Sequence, residues 1–271
     1  MTEKQFRKRW LRWHAQYEKI VFRKLMKNFR EAGNSIPFNF INKDNYEVLI
    51  RQSLSTDKMI SLYADFYREV GIIHAKRVGK EINKETKDFT LNAFLSNFER
   101  NIIGWLYENS LSNIESVKGT YISYLKSLFI KGIDENKTLR EITDDITKLI
   151  NKRNFYKYQA LRIARTETTA AANHSSLVVS ETSNLVYDKV WIATEDYRTR
   201  RLPEDAFSHS AMNGVVVPAD EPFSVQGKRG VEKIMFPGDP NGSAGNIINC
   251  RCANALRPRR DENGKLIRKT Y

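Results

Sequence analysis

Between Pro37 and Pro203 the chain carries no proline, and six of its seven prolines lie beyond residue 200. Proline inside a helix removes a hydrogen bond and clashes with the preceding turn, so long helices are confined to chain that lacks it. The first 150 residues read as such chain. Phe6, Trp10, Trp13, Tyr17, Ile20 and Val21 recur every three or four positions, which predicts a helix over residues 3–32 with one apolar stripe. Gly33 and Pro37 end it. A second helical pattern runs from Thr56 to Gly79, and a third from Leu91 to Ile130, with Gly104 and Gly119 as the expected points of interruption. Thr138 and Glu141 have the spacing of a capping box ahead of a short helix whose apolar face is Leu139, Ile142, Ile146, Leu149 and Ile150. One more helix, over 156–182, carries IARTETTAAANHSS.

After Leu185 the character changes. YDKVWIA, GVVVP and RCANAL read as strands, with Pro, Gly, Asn and Asp between them. The expected fold class is α+β: a long, mainly helical N-terminal region followed by a small C-terminal α+β module with a short antiparallel sheet. The expected divisions are 1–154, 155–256 and a basic tail, 257–271, too polar to bury and expected to be mobile.

Charge is uneven along this chain. Of the net +13, residues 1–30 carry ten Lys/Arg against two acids and residues 251–271 carry seven against two, so the body between them is neutral. Basic ends suit a polyanion, nucleic acid first, reached through Arg7, Lys8, Arg9, Arg12, Arg23, Lys24, Lys27 and Arg30 at one end and Arg257, Arg259 and Arg260 at the other. The plainer alternative is that they aid solubility. The apolar stripe of the first helix has the same two-sided reading: it packs on the rest of the protein, or it docks on a partner, on DNA or on a membrane surface. With 41% hydrophobic and 28% charged residues the composition is that of a soluble globular protein. No stretch of about 20 residues is apolar enough to span a bilayer, and MTEKQFRKRWLRW lacks the apolar core of a secretory signal. Stable membrane insertion is not expected, and a cytoplasm is the expected place of synthesis.

Three clusters could carry chemistry. On the last helix, Arg165 and Glu167 are two apart and point to different sides, so they cannot pair. With Asn173 they form either a site or, as we favour, a tightly packed helix whose polar groups lock neighbouring loops. The loop-rich stretch after WIA offers Asp196, Arg198, Arg200, Glu204, Asp205 and His209. The third cluster, IMFPGDPNGSAGNIINCRC, holds the only two cysteines, Cys250 and Cys252. Spaced C-x-C, they make a poor disulfide. On a strand they would share a face, where they could ligate zinc together with His209, Asp239, Asp196 or His174. The plainer reading, no cofactor, takes them as two small buried hydrophobes. No phosphate-binding Gly-rich loop, HExxH, GxSxG or EF-hand loop occurs.

In this order the clusters resemble the Mu F-like family of phage minor head, or head morphogenesis, proteins. The resembling residues are Arg165-Thr166-Glu167 and Asn173, Trp191 with Asp196 and RTR at 198–200, His209 and Gly214, Glu221-Pro222-Phe223, PGDP at 237–240 with Asp239, and INCRC at 248–252 with Asn249, Cys250, Arg251 and Cys252. The resemblance covers roughly residues 155–256. It implies a non-enzymatic minor component of the capsid interior, made in the host bacterial cytoplasm. The implied partners are the portal, the scaffold or major capsid protein, and packaged double-stranded DNA bound without sequence preference, with ejection alongside the genome in some members. Many members have a Cys-rich stretch after RT and a His before CRC that together look like a zinc site; here the first reads RTRRLPEDAF and the second Ile247-Ile248-Asn249. The alternatives are a metal-dependent or nucleotide-using enzyme in 155–256, built on Arg165, Glu167, Asp196, His209 and Asp239, and a membrane-active ejection protein using the first helix.

Overall fold

The computed structural model describes residues 2–270. Helix α1 (Glu3–Asn34) starts at a capping box in which Thr2 and Gln5 satisfy each other's free amides. Trp10, Tyr17 and Val21 of its stripe, with Leu25 and Phe29 beyond them, are wholly buried within the protein, while Phe6, Trp13 and Ile20 are half-buried. Most of the apolar face of α1 therefore packs on the rest of the protein. A short helix not foreseen, α2 (Tyr46–Gln52), follows an Asn42 turn whose side chain accepts from the amides of Asp44 and Asn45. Helix α3 (Thr56–Ile82) begins at Ser55, which caps Lys58.

The third helical pattern is two helices, α4 (Leu91–Asn109) and α5 (Leu111–Asp134), and the break is not at a glycine. Gly104 and Gly119 face open space inside the helices. The chain turns at Ser110 instead, where Asn109 donates its side-chain amide to Trp105 O at 3.0 Å and accepts from Asn241 at 2.9 Å. Local polar bonds of this kind compete with the helix ladder, whereas one exposed glycine costs only about 1 kcal/mol. The expected capping box of Thr138 and Glu141 opens α6 (Leu139–Ile150).

Helix α7 (Lys157–Glu181) is the pillar of the molecule. Every residue from Thr166 to Ser180 is buried, because α1, α3, α4 and the sheet surround it. A helix enclosed on all sides is usually apolar; this one is built of Ala, Thr and Ser whose small size lets neighbours close in. Ser175 donates to Gly71 O of α3 at 2.8 Å, and a Cβ on Gly71 would sit 2.5 Å from the Phe98 ring. His14 meets Thr169 at 2.9 Å and His74 meets Ser176 at 3.0 Å.

Beyond α7 come β1 (Tyr187–Ile192), β2 (Val216–Pro218), a hairpin of β3 (Phe223–Gly227) and β4 (Gly230–Ile234), α8 (Ala244–Ile247) and β5 (Ala253–Pro258). The antiparallel sheet has the order β2-β1-β5, with Trp191 opposite Asn254. The strand expected at RCANAL starts later, at Ala253, so Cys250 and Cys252 lie in the chain leading to it. Asn249 makes a left-handed turn there (φ 60°), held by its amide bond to Thr166 Oγ1. The tail does not hang free. It folds back through a turn at Gly264, and Lys269 Nζ donates to the carbonyls of Ser180 and Glu181, each at 2.9 Å, closing the C-terminal end of α7.

Two cores result. The larger runs without a break from Trp10 to Ala253 and joins the helices to one face of the sheet, so the 154/155 division crosses continuous packing. The smaller contains Trp191, Ala193, Met212, Phe223, Val225, Ile234, Cys250 and Cys252. Among the described residues no helix is long and apolar enough to cross a membrane.

Candidate metal centre and arginine pocket

The loop between β1 and β2 brings His209 against the two cysteines. His209 Nδ1 lies 3.6 Å from Sγ of Cys250 and 3.6 Å from Sγ of Cys252, and all three residues are buried. The ring is oriented by a relay. Its Nε2 is 2.7 Å from Asn246 Oδ1, and Asn246 Nδ2 donates to Glu232 Oε2 at 2.6 Å. Because the Asn246 amide nitrogen is taken by a carboxylate, its oxygen faces Nε2, which must carry the proton. That leaves the Nδ1 lone pair aimed at the thiols, the state a metal-binding histidine needs. Trp191 stands edge-on to the ring at 5.2 Å.

The two thiols differ. Burial pushes Cys250 up, but the hydrogen bond from the Cys252 thiol and the charge of Arg200 work against it and hold Cys250 well below an ordinary thiol. Its hydrogen bond to Cys250, then burial and the Cys250 charge, drive Cys252 well above. A tetrahedral zinc ion with ordinary Zn–N and Zn–S bonds sets its nitrogen and sulfur donors about 3.5–3.6 Å apart, which both measured edges match. The donor set of one imidazole and two thiols therefore fits zinc, with three of four ligands supplied.

The other proposed ligands lie elsewhere. Asp239 closes the PGDP turn by accepting from the amides of Met235 (2.7 Å) and Asn241 (3.0 Å). Asp196 pairs with Arg251 at 2.6 Å and caps Arg198 N. His174 stacks on Trp105 at 3.9 Å. Among the described residues the cluster of metal-ligating groups consists of His209, Cys250 and Cys252.

Beside this centre lie four arginines. Arg165 from α7, Arg198 and Arg200 from the loop after β1, and Arg251 between the cysteines line an open pocket of about 470 Å³ with Asn249, Asp205, Ala244 and Ile248. Arg165 is held by Glu18 and by Asn249 Oδ1, each at 3.1 Å. Arg200 donates to Ile248 O, and Trp10 Nε1 donates to Arg251 O at 2.6 Å.

Glu167 and Asn173 do not join either feature. Glu167 accepts from Tyr67 at 3.2 Å inside the helical core, and burial pushes its carboxyl up to about 7. Asn173 ties the loops to α7: it donates to Pro237 O (2.7 Å) and Cys252 O (3.0 Å) and accepts from Asn254 N (3.0 Å). Gly214, at φ 79°, donates to Trp191 O and turns the chain into β2.

The basic residues at the ends divide. Arg7 pairs with Glu195, Arg9 with Glu81, Lys24 with Glu69, Lys27 with Glu31, Arg259 with Asp188 and Arg260 with Glu85. Arg30 donates to Lys152 O. Among the described residues Lys8, Arg12, Arg23 and Arg257 form no ion pair. Sequence reasoning missed Glu232 and Asn246, whose approach depends on hairpin register rather than on any spacing. It also missed the links from Trp10 and from Arg7, which donates to Ala193 O at 2.7 Å.

Residues 125–255, just under half of the chain, match the family model described as Phage Mu protein F like protein. No curated protein and no solved structure matches the chain.

Proposed function

The chain is Mu F-like from α5 to β5, and on that premise we propose that it is a phage minor head protein acting in assembly of the procapsid, with no enzymatic role. The observation that carries this reading is the coincidence of the Mu F-like segment with polar groups engaged in bracing. Thr166, Thr169 and Asn173 of α7 all bond to the backbone of the 249–254 segment. Zinc held by His209, Cys250 and Cys252 would complete that brace, fixing the loop after β1 to the chain entering β5. Its contribution there is cross-linking, since the donors are buried and face a core.

In this reading the protein lies inside the capsid, next to the portal, and is built in the host cytoplasm alongside scaffold or major capsid protein. The unpaired Lys8, Arg12, Arg23 and Arg257 contact packaged DNA by neutralising phosphates, without reading sequence. Exit with the genome is consistent with such salt-sensitive contacts.

The test is genetic and compositional. A phage with this reading frame interrupted is expected to form heads that lack the chain and lose infectivity, and purified wild-type virions are expected to contain it. Virions free of the chain, with full infectivity after its interruption, would sink the proposal.

A further inference from the structure

The four-arginine pocket has no part in the brace. Two of its arginines are neutralised nearby, Arg165 by Glu18 and Arg251 by Asp196. The guanidinium groups of Arg198 and Arg200 meet no carboxylate among the described residues; Arg198 rests against Tyr197 and Arg200 against the Ile248 carbonyl. The one acid lining the pocket, Asp205, accepts from the Arg201 amide at 2.8 Å. Arg165 Nε is buried without a partner. Burial first, and then the charges of Arg251, Arg165 and Arg198, drive His14 down to about 3.

We propose that Arg165, Arg198, Arg200 and Arg251 form a binding site for a phosphate group. Like charges brought together from separate elements repel, and an arrangement that keeps them together is stabilised by an anion. Guanidinium groups are weakly hydrated and present paired N–H donors matching the oxygens of phosphate. Four of them around one opening exceed what a single carboxylate can accept, and the only apolar walls are Ala244 and Ile248. The phosphate comes either from a nucleic-acid backbone, which would add a DNA contact distinct from those at the chain ends and rests on the function proposed above, or from a small phosphate compound. The pocket adjoins the His209, Cys250 and Cys252 cluster, because Cys250 and Cys252 flank Arg251.

The test uses the full chain, with inorganic pyrophosphate by calorimetry and a labelled DNA duplex by fluorescence anisotropy. Arg198→Ala/Arg200→Ala removes the two arginines without a carboxylate partner; Arg198→Lys/Arg200→Lys keeps their charge; Lys76→Ala/Lys80→Ala, at two exposed positions of α3, is the charge-matched control. The alanine pair is expected to weaken pyrophosphate about tenfold or more, with the lysine pair intermediate and the α3 control unchanged. If the source is DNA, the alanine pair also lowers the slope of log affinity on log salt by about 1, the share of one phosphate. Pyrophosphate binding without duplex binding supports the site, assigns it to a small phosphate compound, and counts against the DNA contact proposed above. Duplex binding that the alanine pair leaves unchanged, with no pyrophosphate bound, overturns the site and spares the contacts at the ends. A pocket that takes poly-glutamate but not pyrophosphate also overturns it.

Discussion

The two cores of this molecule hold together by different means. The larger is closed by rings and aliphatic chains: Phe29 stacks on Tyr121 at 4.6 Å and meets Tyr156 edge-on at 5.1 Å, within packing that reaches from α1 to β5. The smaller has little apolar mass, two of its members are thiols, and loops supply much of its wall. A core that small buries too little to repay the entropy of ordering its loops, and natural proteins add a cross-link or a metal in that situation. The contrast gives a physical reason for a zinc-competent triad at this place in the fold and not in the helical region.

Three measurements would break or sharpen that contrast. The largest effect is expected from the metal centre. Purified protein should contain about one zinc per chain, and chelation or Cys250→Ser/Cys252→Ser should cost on the order of 10 kcal/mol in the small core. The wholly buried Trp191 would then become exposed while helical circular dichroism largely persists. Metal-free protein with Trp191 still buried would show that the small core needs no brace.

Next is the joint between the cores. Asn173→Ala leaves two carbonyls and an amide without their bonds, so a loss of about 3 kcal/mol in denaturant unfolding is expected. If the small core then melts ahead of the large one, Asn173 is what makes them unfold together; a loss under about 1 kcal/mol would mean the loops hold without it.

The smallest effect concerns the large core alone. Glu167 is shifted by burial from its ordinary 4.5 to about 7, so the native state binds its proton more tightly than the unfolded chain. Its contribution to stability is therefore full below about pH 4.5 and is lost as pH rises through about 7. Glu167→Gln should stabilise the protein at pH 8, by no more than about 3 kcal/mol, and by little at pH 4.5. Equal stability at both pH values would mean that the carboxyl is not held protonated in the core.

Much of the helical region was legible in the sequence because period and caps are local signals. The stripe from Phe6 to Val21 and the Thr138–Glu141 box needed no knowledge of what lies across from them. The break at Ser110 was not legible, since it depends on Asn241 arriving from a distant turn. The hairpin β3–β4 was missed because its turn, Lys228-Arg229, lacks the Asn-Gly or Gly-Gly signature. At the site, Cys250 and Cys252 announced themselves, and the choice among His209, Asp239, Asp196 and His174 did not, because it is decided by how a long loop folds over β1. The tail looked unburiable from its polarity, yet its backbone and Lys269 find the open carbonyls of α7. Polarity excludes a segment from a core and does not exclude it from completing a helix end.

The bond from Trp10 to the carbonyl of Arg251 joins positions 241 residues apart. During synthesis α1 leaves the ribosome long before the segment that carries this partner. Tyr17 and Phe29 find His74 and Tyr121 earlier, but the Trp10 end of its aromatic face stays without this partner until then, and the final packing is slow to close because that contact is so distant in sequence. The timing of translation is thus a point at which this chain is open to misassembly.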